Sequence, residues 1–125
     1  MPVRIACGQL NQTVGDFSGN LDRIEQAVKG AAAAGARILL TPELSVSGYP
    51  PEDLLFRASF YAKASEALQR LAAISARYPE VLVVAGYPLQ REGRRHNAAG
   101  VFQAGRLAGE ATVWLAPAGV GQTRV

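Results

Sequence analysis

The chain has 125 residues, of which 49% are hydrophobic and 18% charged, and a formal net charge of +3. That length bounds it at one domain with a sizeable core, and that balance excludes a disordered segment. No apolar stretch approaches the roughly 18 residues of a membrane span, and the 13 basic residues are spread along the chain instead of forming a nucleic-acid-binding face.

The start, from Met1 to Ile5, lacks the charged and apolar regions of a signal peptide. A single cysteine, Cys7, excludes an internal disulfide framework and fits a reducing cytoplasm. From Val3 to Leu10 the pattern predicts a strand, with Cys7 packed inside it. Turn residues follow to Gly19. A helix is expected from an Asn20 cap, with Leu21, Ile24, Val28 and Ala31 as its apolar stripe and Gly35 as its stop. Ala36 to Thr41 is nearly continuous in apolar character, which predicts a central strand covered on both faces. A loop from Pro42 to Pro51 leads to Glu52 and Asp53, acids suited to a helix N-terminus. A longer helix spans Ser59 to Tyr78, with Phe60, Ala64, Leu68, Leu71 and Ile74 on one side.

Val81 to Ala85 predicts a second strand buried on both faces. A polar turn from Gln90 to Arg95 follows, carrying Arg91, Arg94, Arg95 and, beside them, His96. Asn97–Gln103 and Arg106–Trp114 are expected as strands joined by an Ala104-Gly105 hairpin turn. Strands alternating with helices predict an α/β fold with parallel pairing, and the two short final connections predict antiparallel pairing there. From Ala116 the apolar periodicity stops, and a loop or frayed end is expected.

Glu43 is the first candidate for chemistry. It stands where an apolar strand ends, the place from which open α/β sheets present functional groups. Desolvation there would raise its proton affinity towards that of a useful general base. The alternative is an exposed loop glutamate. A lone histidine gives no metal site, and the glycines form no phosphate-binding loop, so neither a metal nor a cofactor site is expected.

The segment Thr41-Pro42-Glu43-Leu44, followed by Ser47-Gly48-Tyr49-Pro50-Pro51-Glu52-Asp53-Leu54-Leu55, resembles the glutaminase domain of bacterial glutamine-dependent NAD synthetases. That domain belongs to the carbon–nitrogen hydrolase, or nitrilase, superfamily. Ile5 to Asn11, Val14 to Phe17, Gly19-Asn20 and His96 to Ala99 add to the likeness, which covers residues 3 to about 112. The resemblance implies part of an α-β-β-α sandwich, with a mixed sheet and two main helices. It also implies a Glu-Lys-Cys triad with Glu43 as general base, glutamine as substrate, and homo-oligomers in the full-length family. ATP and nicotinic acid adenine dinucleotide would bind a synthetase domain that this chain does not hold.

Several departures bear on activity. The family lysine falls near Leu115, yet no lysine occurs after Lys63, and Cys7 matches no nucleophile position. Residues 1–115 are therefore expected to be the first part of the hydrolase domain, and residues 116–125 a tail foreign to it, as truncation or a frameshift would produce. The chain alone is expected to be inactive. Two other readings stand beside this one: a piece of another nitrilase-branch amidase, and a non-catalytic interaction module built on an uncovered sheet.

Overall fold

The computed structural model describes residues 2–115, so the tail expected from Ala116 lies outside the described residues. Five strands form one sheet in chain order: β1 (Ile5–Cys7), β2 (Ile38–Leu40), β3 (Leu82–Arg91), β4 (Arg94–Gln103) and β5 (Arg106–Trp114). The β1–β2 and β2–β3 pairs are parallel, and the β3–β4 and β4–β5 pairs are antiparallel. The crossovers are α1 (Phe17–Ala33) and α2 (Ala58–Arg77), with a 3-10 turn at Glu52–Phe56 before the second. Two right-handed crossovers advancing in one direction put both helices on the same face of the sheet.

The core lies between that face and the helices. Leu21, Ile24 and Val28 of α1 and Leu71 and Ile74 of α2 pack on Leu39, Val83, Ala85, Tyr87 and Phe102 of the strands. These strand residues share one face because side chains alternate along each strand and the register aligns Val83 with Phe102 and Leu39 with Val83.

Among the described residues, the opposite face carries no helix. Ile5 is 54% exposed there and Leu40 is 40% exposed, whereas Leu39, one residue before Leu40, is 1% exposed. The expectation that the central strands are covered on both faces is therefore corrected: apolarity on successive residues records two apolar faces, but only one has a layer packed on it. Cys7 is corrected for the same reason. It lies on the edge strand β1 and is exposed.

Several boundaries also move. Helix α1 starts at Phe17, because the Asp16 side chain accepts a hydrogen bond from the Gly19 amide and caps it. Glu52 and Asp53 open the short 3-10 turn, separate from α2. The polar turn shrinks to Glu92-Gly93, whose φ angles of 53° and 71° suit a two-residue hairpin. His96 consequently lies inside β4, paired with Leu89 and Trp114, and is no turn residue.

Candidate active site

Glu43 lies three residues beyond β2, on a loop that folds back over the open face of the sheet. The Thr41 amide donates to the Val84 carbonyl at 3.0 Å, which carries the β2–β3 pairing one residue beyond the strand. The chain then turns sharply, with the Ser45 amide donating to the Pro42 carbonyl at 3.1 Å. Leu44 occupies the inner corner of this turn at a φ of +51°, a region that leucine rarely adopts. Burial of its side chain, 4% exposed, holds it there. Strained backbone of this kind persists only where the surroundings over-determine it.

Those surroundings are specific. The Ser45 hydroxyl lies 2.7 Å from the Thr41 hydroxyl and accepts from the Gly86 amide at 3.4 Å, while the Val46 amide donates to the Gly86 carbonyl at 3.0 Å. The loop rests directly on Gly86. A Cβ at that position would stand 2.5 Å from the Leu44 nitrogen, so only glycine permits the approach.

The far end of the loop is held by Asn20, which is wholly buried. Its side-chain amide donates to the Thr13 carbonyl at 2.8 Å and the Val46 carbonyl at 3.2 Å. Its oxygen accepts from the Thr13 amide at 2.8 Å and from Arg23 at 3.1 Å. Gln12 adds a bond to the Ser45 carbonyl at 2.7 Å. The expectation of Asn20 as a helix cap is corrected: it is the tie between α1 and the loop that carries Glu43. The available signal was its spacing, since Asn20, Ile24 and Val28 fall on one helical stripe and a polar residue on an apolar stripe needs partners.

Glu43 contributes to the lining of a cavity of about 320 Å³ on the open face, just beyond the C-terminal end of β2 and beside the first half of β3. Val84, Gly86, Asn97, Ala99, Ala111 and Val113 line it as well. Such a volume falls in the small-ligand range. The expected shelter is corrected: Glu43 is exposed, because among the described residues no further layer covers the loop that carries it. A larger depression of about 450 Å³ lies on the helix side, lined by Lys63, Glu66 and Arg70, and shares no residue with the Glu43 cavity.

On the covered face, Tyr87 and Glu110 brace β3, β4 and β5. The Tyr87 hydroxyl donates to the Glu110 carboxylate across Gly100, where a Cβ would come within 2.8 Å of that hydroxyl. Arg91 joins Glu110 at 2.7 Å. Burial, reinforced by the carboxylate, pushes the Tyr87 phenol well above its usual range. Burial also pushes the Glu110 carboxyl up, but the hydrogen bonds from Tyr87 and Arg91 outweigh it and hold the group below the ordinary carboxylate value. Sequence reading missed this cluster, since its members are far apart along the chain.

Chemically, the Glu43 carboxylate can accept a proton or a hydrogen bond from a polar group resting on the apolar floor. Among the described residues, no lysine or cysteine lines the cavity. Lys29 and Lys63 belong to the helices on the other face, and Cys7 to the β1 edge. No group of three or more metal-ligating side chains occurs among the described residues, and no described helix is long and apolar enough to cross a membrane.

The same fold occurs in proteins of known family. The glutamine-dependent NAD(+) synthetase of Thermotoga maritima is 38% identical over 107 residues, which cover 86% of this chain and 18% of that protein. The crystal structure of a glutamine-dependent NAD(+) synthetase from Cytophaga hutchinsonii superposes with a TM-score of 0.78 at 29% identity, over 89% of this chain and 19% of that one. A nitrilase-superfamily amidase of Nesterenkonia superposes with a TM-score of 0.79 at 29% identity, over 89% of this chain and 42% of that one. The chain thus spans about a fifth of the length of the synthetases it matches. The carbon-nitrogen hydrolase family model matches residues 4–116. With that match over nearly its whole length, and a strand-end glutamate on the open face of its sheet, the chain belongs to the carbon-nitrogen hydrolase family.

Proposed function

We propose that the chain is the part of a glutamine-hydrolysing domain that supplies the general base, Glu43. The ammonia released would serve ATP-dependent amidation of nicotinic acid adenine dinucleotide to NAD. The observation that carries this reading is the placement of Glu43 on a pinned, strained turn at the mouth of an apolar cavity beyond β2. In the reaction, Glu43 takes the proton of a cysteine thiol and the thiolate adds to the side-chain amide carbon of glutamine. Glu43 returns the proton to the amide nitrogen as the C–N bond breaks, which leaves a thioester and ammonia, and water then releases glutamate. A lysine stabilises the oxyanion. Among the described residues neither thiol nor ammonium lines the Glu43 cavity, which supports the reading that the chain by itself does not hydrolyse glutamine.

Two measurements test this. The purified 125-residue chain, given glutamine, should release no ammonia above background; release abolished by Glu43→Gln would overturn its inactivity. Residues 4–115 grafted in place of the matching segment of the Thermotoga maritima synthetase should restore a glutamine-hydrolysing site. Glu43→Gln in that chimaera should then lower the rate by about 10²-fold or more, the usual contribution of a general base. A folded chimaera whose rate is unchanged by Glu43→Gln overturns the assignment.

A second reading, part of an amidase acting on another amide, is supported by the Nesterenkonia match. A variant of that amidase was obtained in complex with acrylamide. Genomic sequence downstream separates the two readings: an ATP-binding synthetase domain points to NAD synthesis, and a stop soon after the hydrolase domain points to a lone amidase.

A further inference from the structure

The cavity at the open face offers a ligand two free polar side chains, and only one of them is charged. Among the described residues, neither Glu43 nor Asn97 has a side-chain hydrogen bond or ion pair, although Asn97 is half-buried. The other polar groups at the cavity are engaged or turned away. The Thr41 hydroxyl is used by Ser45 and the Val84 carbonyl. Thr112 pairs with Ala98, whose side chain lies in the core, so strand alternation turns the Thr112 hydroxyl to the other face. Asn97 pairs with Val113 and follows the register that puts Ala99 opposite Gly86 and Ala111, which places it on the same floor as those residues.

A carboxylate alone over an apolar floor favours an ammonium group. A carboxylate and a neutral carboxamide lining one cavity suit a ligand that donates at one end and accepts at the other. We propose that Asn97 orients and selects an uncharged primary carboxamide in this cavity. The Asn97 side-chain NH2 donates to the ligand carbonyl, and Glu43 accepts from the ligand NH2. This inference rests on the amide-hydrolase reading above and names the residue that fixes the amide's orientation.

The test is a titration of the isotopically labelled 125-residue chain at about pH 7, followed by NMR. Acetamide is the probe, and methylammonium is the charged control. Acetamide should produce saturable shifts at the Asn97 side chain and at Gly86 and Ala99, and should bind more tightly than methylammonium. Asn97→Leu and the nearly isosteric Asn97→Asp should each weaken acetamide about tenfold, the worth of one hydrogen bond left unmade. Asn97→Asp should also reverse the preference, since two carboxylates then face the ligand. If Asn97→Leu fails to fold, Asn97→Asp carries the measurement. Unchanged acetamide affinity in a folded variant overturns the role of Asn97 and leaves the amide-hydrolase reading standing. A wild-type chain with no saturable acetamide shift, or one that prefers methylammonium, overturns this proposal, while the chimaera decides the amide-hydrolase reading separately.

Discussion

The two faces of this sheet are made of similar residues and do different work. On the helix face, Leu39, Val83, Ala85 and Phe102 are within 1% of complete burial. On the open face, Ile5 and Leu40 are as apolar, yet stand at 54% and 40% exposure. The covered face carries the hydrophobic stabilisation of the fold; the open face carries the cavity, the strained turn and Glu43. Stability and chemistry are thus divided across the thickness of one sheet, and adjacent residues of a strand fall on opposite sides of the division.

Substitutions at those adjacent residues break the comparison most directly. Leu39→Ala removes packed methyl groups and leaves a void, and should cost about 3 kcal/mol. Leu40→Ala, on the open side, should cost under about 1 kcal/mol. Chemical denaturation of the two variants measures the gap; equal losses would mean that the open face is covered in solution.

Next in size is Asn20, the tie between the covered side and the loop of the open side. Asn20→Ala strands the Thr13 amide and the Val46 carbonyl and leaves the Thr13 carbonyl with the Asp16 amide alone, at about 2 kcal/mol. Hydrogen exchange at Val46 and Gly48 should accelerate relative to the β3–β4 ladder. Gly86→Ala attacks the same loop from below. Its methyl would strike the Leu44 nitrogen, and the overpacking should cost about 1–3 kcal/mol. Amide shifts confined to residues 42–46 and 84–88 would locate the damage; an unperturbed loop would show that the close approach is not required.

What the sequence made legible follows the same division. The stripes of both helices, the βαβ order and the Ala104-Gly105 hairpin are local patterns, and local patterns carry their own period. Coverage is not local. The runs Ala36–Thr41 and Val81–Ala85 are apolar on both faces, and nothing within them says that a layer packs on only one. The exposure of Cys7 and Glu43 was hidden for that reason. Its place at the end of an apolar strand made Glu43 a candidate and family likeness implied its role, but neither the positive φ of Leu44 nor the contact of the loop with Gly86 has a sequence signature, because each arises where segments some 40 residues apart meet. Asn20 is the intermediate case: its place on an apolar stripe was visible, but its four hydrogen-bond partners were not.

The smallest effect belongs to the outer surface of the helix layer, where charge sharpens the comparison. Arg70 of α2 reaches Asp22 at 2.5 Å and Glu25 at 3.2 Å on α1, and Arg77 also bonds Glu25. The hydrogen bond from Arg77 holds the Glu25 carboxyl below its ordinary value; burial opposes it and Arg70 assists. A carboxyl lowered in the folded state stabilises the fold above the ordinary value of 4.5 and loses that contribution as pH falls through the lowered value. Glu25→Gln removes the titrating group, so the drop in melting temperature between about pH 7 and pH 3 should be smaller in the variant than in the wild type. The difference should be slight, since exposed pairs are screened by water and salt. Glu110 is held low in the same direction, so Glu110→Gln should narrow the drop as well. It should do so more than Glu25→Gln, because Glu110 has only 15% of its side-chain surface exposed against 27% for Glu25. If instead Glu25→Gln narrows the drop more, the helix-to-helix pairs hold the layer more firmly than the Tyr87–Glu110–Arg91 brace beneath it.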